Sequence, residues 1–136
     1  MASINKPQVV HVPNGPKALG PYSRVIPATA ILGNNQVFTS GQLGINKDGE
    51  LVGSDVQAQT RQALKNLQTI LQTANSDLTL VLKTTVFLKD LGDFNAVNEI
   101  YAEFFDQHKP ARTCIEVARL PKDALVEIEC VALVKA

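Results

Sequence analysis

Arg112-Thr113-Cys114-Ile115-Glu116-Val117-Ala118 and, beyond Arg119-Leu120-Pro121-Lys122-Asp123, Leu125-Val126-Glu127-Ile128-Glu129-Cys130-Val131-Ala132-Leu133-Val134 form the stretch that decides the fold. Both runs are rich in β-branched residues and alternate polar with apolar positions, so each reads as a strand, with the proline-containing segment as their connection. Side chains alternate across a strand. Arg112, Cys114 and Glu116 therefore share one face, opposite Thr113, Ile115 and Val117. In the second run Glu127 and Glu129 share a face with Val131 and Leu133, opposite Val126, Ile128, Cys130 and Ala132. If the more uniformly apolar sets pack under helices, Arg112, Cys114 and Glu127 emerge together on the second face. The same parity puts Cys114 and Cys130 on opposite sides of the sheet, against a disulfide.

Upstream, residues 24–32 and 36–40 are β-prone segments separated by Gly33-Asn34-Asn35, a turn chemistry that tolerates positive φ and predicts a hairpin. Ser40-Gly41-Gln42 ends its second strand, and Asn46-Lys47-Asp48-Gly49 supplies a turn. From Val56 the apolar positions Ala63, Leu64, Leu67, Leu71 and Ala74 recur at helical period, and Ser54 with Gln57 has capping-box spacing. Residues 80–88, apolar on nearly both sides, predict a central strand. Asp93 is placed as N-cap of a second helix carrying Phe94, Val97, Tyr101, Phe104 and Phe105 on one face, and Pro110 stops it. The order β-β-α-β-α-β-β, without repeats or linkers, predicts one α+β domain spanning 1–136, its two helices packed on one face of the sheet.

The 136 residues with 45% apolar content suffice for a single core. Lys plus Arg equals Asp plus Glu at 13 each, so overall charge gives no footprint for nucleic acid or an anionic membrane. Two cysteines are too few for a disulfide scaffold and lack zinc-ligand spacing, which favours a reducing compartment. The chain has no apolar run of membrane-spanning length, nor a signal-peptide core near its start, and is expected in the cytoplasm, with the mitochondrion left open. Glycine-rich phosphate loops, dinucleotide fingerprints and paired metal-ligand motifs are absent, as is the zinc deaminase signature.

On the second face, Val131 and Leu133 make too apolar a surface to be solvated, and another copy of the chain is the simplest cover. Arg112 follows Pro110-Ala111, and its planar guanidinium suits a small carboxylate held by two parallel hydrogen bonds. The competing reading is a structural ion pair with Glu116, Glu127 or Glu129. Glu127, between Val126 and Ile128, is a candidate proton shuttle if partly buried; Glu129 is its rival, and spacing does not choose between them. Cys114 has no histidine placed to activate it, since His11 lies in the loose start and His108 at a helix end, so it reads as a pocket wall. Lys83, Lys89 and Lys122 have no setting that would mark a Schiff-base lysine. Tyr22, in Gly20-Pro21-Tyr22-Ser23, is either a pocket wall or a surface aromatic; Asn98 alone would face solvent, and Phe94 would join the core.

Pro110-Ala111-Arg112-Thr113-Cys114-Ile115-Glu116-Val117-Ala118-Arg119-Leu120-Pro121, followed by Val126-Glu127-Ile128-Glu129, resembles the reactive intermediate deaminase family. Gly20-Pro21-Tyr22-Ser23, Ser40-Gly41-Gln42, Asp93-Phe94 and Val97-Asn98 extend the likeness over nearly the whole chain. The resemblance implies a chorismate-mutase-like α+β subunit in a homotrimer, with active sites in clefts between subunits. It implies Arg112 as ligand of the substrate carboxylate and Glu127 as the residue that positions or activates water. Tyr22 and Phe94 would be pocket-wall aromatics and Ser40, Asn98 and Cys114 pocket residues, the last partly through its backbone N–H. The implied reaction is metal-independent and cofactor-free: hydrolysis of 2-aminoacrylate, 2-iminopropanoate or 2-iminobutanoate to a 2-keto acid and ammonia. An imine carbon is already electrophilic, so fixing the carboxylate, aiming a water and moving protons are the tasks that remain. An endoribonuclease or translation inhibitor, and a non-catalytic metabolite-binding or chaperone-like module, are the alternative functions.

Overall fold

Period-two alternation over residues 126–133 produces the strand from which the rest of the sheet is built. The structure, a computed structural model, describes residues 6–13 and 29–136. Its strands are β1 (Gln8–Val10), β2 (Ala30–Gly33), β3 (Gln36–Thr39), β4 (Gln42–Leu43), β5 (Val81–Leu88), β6 (Ala111–Glu116) and β7 (Val126–Leu133), and its helices α1 (Val56–Thr73) and α2 (Phe94–Phe104). The sheet order is β1-β2-β3-β7-β5-β6, with β4 also pairing β7. All pairings are antiparallel except β5 with β6, the parallel pair that α2 connects. The predicted α+β architecture is therefore observed, with β1 and β4 added to the expected order. Among the described residues, short 3₁₀ turns at Leu78–Leu80, Leu91–Asp93 and Pro121–Asp123 join elements.

Local chemistry explains most boundaries. Asn34 and Asn35 take φ of 56° and 64°, as the predicted hairpin turn requires. The first helix is capped by Asp55, whose Oδ1 accepts from Ala58 N–H at 2.8 Å, rather than by a Ser54–Gln57 box. Gln57 instead donates to the Ala96 carbonyl and to Glu99, tying α1 to α2. Asp93 holds the N-cap position of α2 without a side-chain hydrogen bond, because a 3₁₀ turn capped by Asp90 leads into the helix. The hairpin strand expected over 24–32 is observed from Ala30; residues 24–28 lie outside the described residues.

Both helices lie on one face of the sheet, over a fully buried core that includes Leu64, Leu67, Leu71, Val97, Val86, Leu88, Val126, Ile128 and Ala132. A second cluster of Leu43, Ile45, Leu120 and Ala124, with Phe87 and Val117 against it, covers part of the other face. Beyond that cluster Phe38, Ile115 and Leu133 remain about two-fifths exposed or more, at 46%, 42% and 39%. The expectation of an apolar open face thus holds, although the chain itself shields one end of it.

Register corrects the expected placement of the chemical groups. Val126, Ile128, Cys130 and Ala132 do face the helices. Thr84, Val86 and Leu88 of β5 lie on that same face, paired with Cys130, Ile128 and Val126. Arg112 pairs with Thr84 and Cys114 with Val86, so Arg112 and Cys114 are on the helix-covered side and Glu127 is on the other. Apolar content misled because β6 is an edge strand: its open face carries Ile115, exposed in the single chain, while its half-buried groups are Arg112 and Cys114. Cys114 and Cys130 consequently share a face, yet both are free thiols, standing on the two strands that flank β5.

At Gly44, next to β4, the sheet comes close against α1: a Cβ there would stand 2.4 Å from the Gln59 carbonyl oxygen and 2.5 Å from its Cα. Backbone cannot step aside as a flexible side chain can. Gly44→Ala is expected to cost about 1–3 kcal/mol of stability, read as a lowered urea midpoint with an unchanged slope; a wild-type midpoint would contradict this packing.

Candidate functional site

The second helix presents Phe94, Asn98 and Tyr101 at i, i+4 and i+7, one stripe along its length. Arg112 reaches this stripe from the neighbouring edge strand. Its Nη1 donates to Asn98 Oδ1 at 2.7 Å. Its guanidinium carbon stands 4.8 Å from the Tyr101 ring centre and 5.3 Å from that of Phe94, within cation–π range of both. The partners are thus one neutral amide and two rings. Among the described residues no carboxylate forms an ion pair with Arg112, so the structural salt bridge weighed from the sequence is not observed.

Cys114, one strand period along on the same face, is half-buried. Burial pushes its thiol pKa up, while the positive charge of Arg112 opposes the shift. A thiol held in its protonated form is a poor nucleophile, consistent with a pocket wall. Asn98 faces Arg112 rather than solvent alone, and Phe94, 37% exposed, is not absorbed into the core.

Glu127 lies on the opposite side of the sheet, level with Leu43 on β4 and Phe87 on β5. Partial burial pushes its carboxyl pKa above the ordinary value, and the charge of Glu129 adds to the shift. The carboxyl leans over Gly41, where a Cβ would come within 2.7 Å of Glu127 Cδ and 2.8 Å of Oε1. Glycine at this position leaves room for the group. Ser40, the preceding residue, is half-buried, and its N–H donates to the Thr29 carbonyl at 2.8 Å. Glu129 sits beside Thr85 instead, away from Leu43 and Phe87.

Structure therefore brings Arg112, Asn98, Phe94 and Cys114 together and separates them from Glu127 and Ser40 by the thickness of the sheet. Tyr22 lies outside the described residues. Sequence reading missed two members of this arrangement. In the sequence Tyr101 stands only as one member of the apolar face of the second helix, and its spacing from Phe94 and Asn98 is the available signal. Gly41 ends a strand in the sequence, and nothing there links it to Glu127. A catalytic role for Lys83, Lys89 or Lys122 gains no support: Lys89 donates to the Ala118 carbonyl and Lys122 to that of Gly49.

Residues 12–134 match the model of the family described as endoribonuclease L-PSP. The chloroplastic reactive intermediate deaminase A of Arabidopsis thaliana is 48% identical over 132 residues, covering 96% of this chain and 68% of the relative. A human 2-iminobutanoate/2-iminopropanoate deaminase is 44% identical over 127 residues, covering 93% and 89%. Among solved structures, E. coli TdcF with bound serine superposes with a TM-score of 0.83 at 39% identity, covering 94% of this chain and 98% of that one. No helix among the described residues is long and apolar enough to cross a membrane.

The raised pKa of Glu127 has a thermodynamic consequence. Its native value lies above its unfolded one, so its contribution to stability is fully present below the unfolded pKa and is lost as pH rises through the native value. Glu127→Gln cannot ionise. It is expected to raise the urea midpoint relative to wild type at about pH 8 by more than at about pH 4, where the wild-type carboxyl is largely protonated. An equal difference at both pH values would show that the carboxyl is not desolvated.

Proposed function

The chain belongs to the endoribonuclease L-PSP family, whose members include the reactive intermediate deaminases it resembles, and from that premise we propose that it hydrolyses short 2-imino acids. The substrates are 2-aminoacrylate and its imine tautomer 2-iminopropanoate, together with 2-iminobutanoate; the products are the 2-keto acid and ammonia. The observation that carries this reading is Arg112: a half-buried cation, fixed by Asn98 and two rings, without a carboxylate partner among the described residues. A short organic acid supplies what the arginine lacks, through charge-assisted hydrogen bonds to its remaining N–H groups. The serine in the E. coli relative is a ligand of this size that also carries a carboxylate.

With the carboxylate anchored, the imine carbon is presented to water. Glu127 takes a proton from that water as it adds to the carbon and passes it to the imine nitrogen, giving a carbinolamine; the hydroxyl proton of that adduct then moves through the same carboxyl to the amine, which leaves as ammonia while the carbonyl forms. A carboxyl whose pKa is raised above its ordinary value is a stronger proton acceptor that can also return the proton. Neither a metal nor a covalent intermediate enters these steps. Cys114 and Phe94 line the carboxylate end. Ser40, just before Gly41, is assigned to the Glu127 end.

Arg112 and Glu127 occupy opposite faces of one sheet, so a site using both takes them from different copies of the chain. We assign the assembly as a homotrimer with an active site at each interface, seated on the open face around Phe38, Ile115 and Leu133. An equal balance of acidic and basic residues gives no support to a phosphate-tracking ribonuclease surface.

Two measurements test the proposal. With 2-iminobutanoate generated in situ from threonine by a dehydratase, trapping by semicarbazide is expected to fall in the presence of the protein. Arg112→Ala is expected to lose about 100-fold or more in kcat/KM, with Arg112→Lys recovering only part because it lacks the planar fork. Reassembling equal amounts of Arg112→Ala and Glu127→Gln subunits should then restore activity at about a quarter of the sites, those pairing an intact arginine with an intact glutamate from a neighbour. No recovery from the mixed assembly would place the two groups in a common chain's site and refute the shared interface.

A further inference from the structure

Across the sheet Cys130, Thr84 and Arg112 form one row, on β7, β5 and β6 in turn, all beneath α2. Thr84 is fully buried. Its hydroxyl shares a hydrogen bond of 2.7 Å with the hydroxyl of Tyr101, while the ring of that tyrosine stands under the Arg112 guanidinium at 4.8 Å. The contacts close a triangle: strand pairing joins Thr84 to Arg112, a hydrogen bond joins Thr84 to Tyr101, and the ring joins Tyr101 to Arg112. Phe105 packs against Tyr101, with ring centres 4.6 Å apart.

We propose that Tyr101 and Thr84 are positioning residues for Arg112, the buried hydroxyl pair locking the ring on which the carboxylate-binding guanidinium rests. This rests on the reading of Arg112 as the carboxylate anchor and deepens it. Arginine has several rotatable bonds, and aiming a planar fork at a small carboxylate requires that few rotamers survive. Asn98 fixes one nitrogen. A second constraint is needed to fix the plane, and the ring provides it only if its own tilt is fixed. Phe94, exposed and without a hydroxyl, cannot be held in that way. Burial pushes the Tyr101 phenol pKa up, which keeps the ring neutral beside the cation. Cys130, the next group in the row, has its thiol pushed up to about 12 and adds no charge.

The test uses the full-length protein and two readouts, the calorimetric affinity for 2-oxobutanoate and the NMR signal of the Arg112 Nε–H. Tyr101→Phe and Thr84→Val are each expected to weaken binding about fivefold, the effect of one neutral hydrogen bond. Each should also move the Arg112 signal in the free protein. The double variant, which removes both hydroxyls and leaves no buried polar group unpaired, should bind no more weakly than either single one, since the two residues act through one contact. Thr84→Ser, which keeps the hydroxyl, should restore both readouts to wild-type values. Wild-type affinity and an unmoved Arg112 signal in folded Tyr101→Phe and Thr84→Val would overturn the inference and leave the anchor standing. Binding undiminished in Arg112→Ala would overturn the anchor itself, and the positioning role with it.

Discussion

The parallel pairing of β5 with β6, in the register that sets Arg112 beside Thr84, is the constraint from which the chemistry of this molecule follows. It turns the arginine toward α2 instead of toward open solvent. Once there, its charge is met by the Asn98 amide and the faces of Phe94 and Tyr101, none of which can neutralise it. A shift of one residue would exchange Arg112 and Cys114 for Thr113 and Ile115. The guanidinium would then stand on the open face, beyond the reach of the helix.

That placement is secured by parts of the fold far from the site. Because β5 and β6 are parallel, a crossover must carry the chain from the end of one to the start of the other, and α2 is that crossover. The helix is held to α1 by Gln57 reaching the Ala96 carbonyl and by the Arg61–Glu103 ion pair, and beneath by Val97 and Ile100 in the core. The surface ion pair is exposed and contributes little, so apolar burial carries most of the load. At the other end of the sheet, the close approach of Gly44 to Gln59 and the hydrogen bonds from Asn66 to Leu43 and Ile45 hold β4 in place. Through Gly41, just before that strand, the same region leaves space for the Glu127 carboxyl.

The molecule thus carries two chemically different groups on the two faces of a single sheet. One is cationic and rigid. The other is a carboxyl whose ionisation is disfavoured by partial burial and by a neighbouring glutamate. On the proposed reading neither is complete for hydrolysis by itself, since an anchor without a proton carrier binds and a proton carrier without an anchor does not orient. The apolar remainder of the open face, with Phe38, Ile115 and Leu133 exposed, gives a physical reason for copies of the chain to associate.

Sequence by itself determined the α+β class, both helices, the hairpin turn at Asn34-Asn35 and the strands of the last 25 residues or so, because these depend on local periodicity and turn chemistry. It also singled out Arg112, Glu127, Phe94, Asn98 and Cys114, through the motif around Pro110 to Pro121 and its upstream companions. Only the tertiary structure decided which face each group occupies. Alternation along a strand says which residues lie together, but the side they take is set by pairing with a neighbour, and on an edge strand apolar content points the wrong way. The same holds for the distinction between Glu127 and Glu129. Two glutamates one strand period apart are equivalent until register places one beside Leu43, Phe87 and Gly41 and the other beside Thr85.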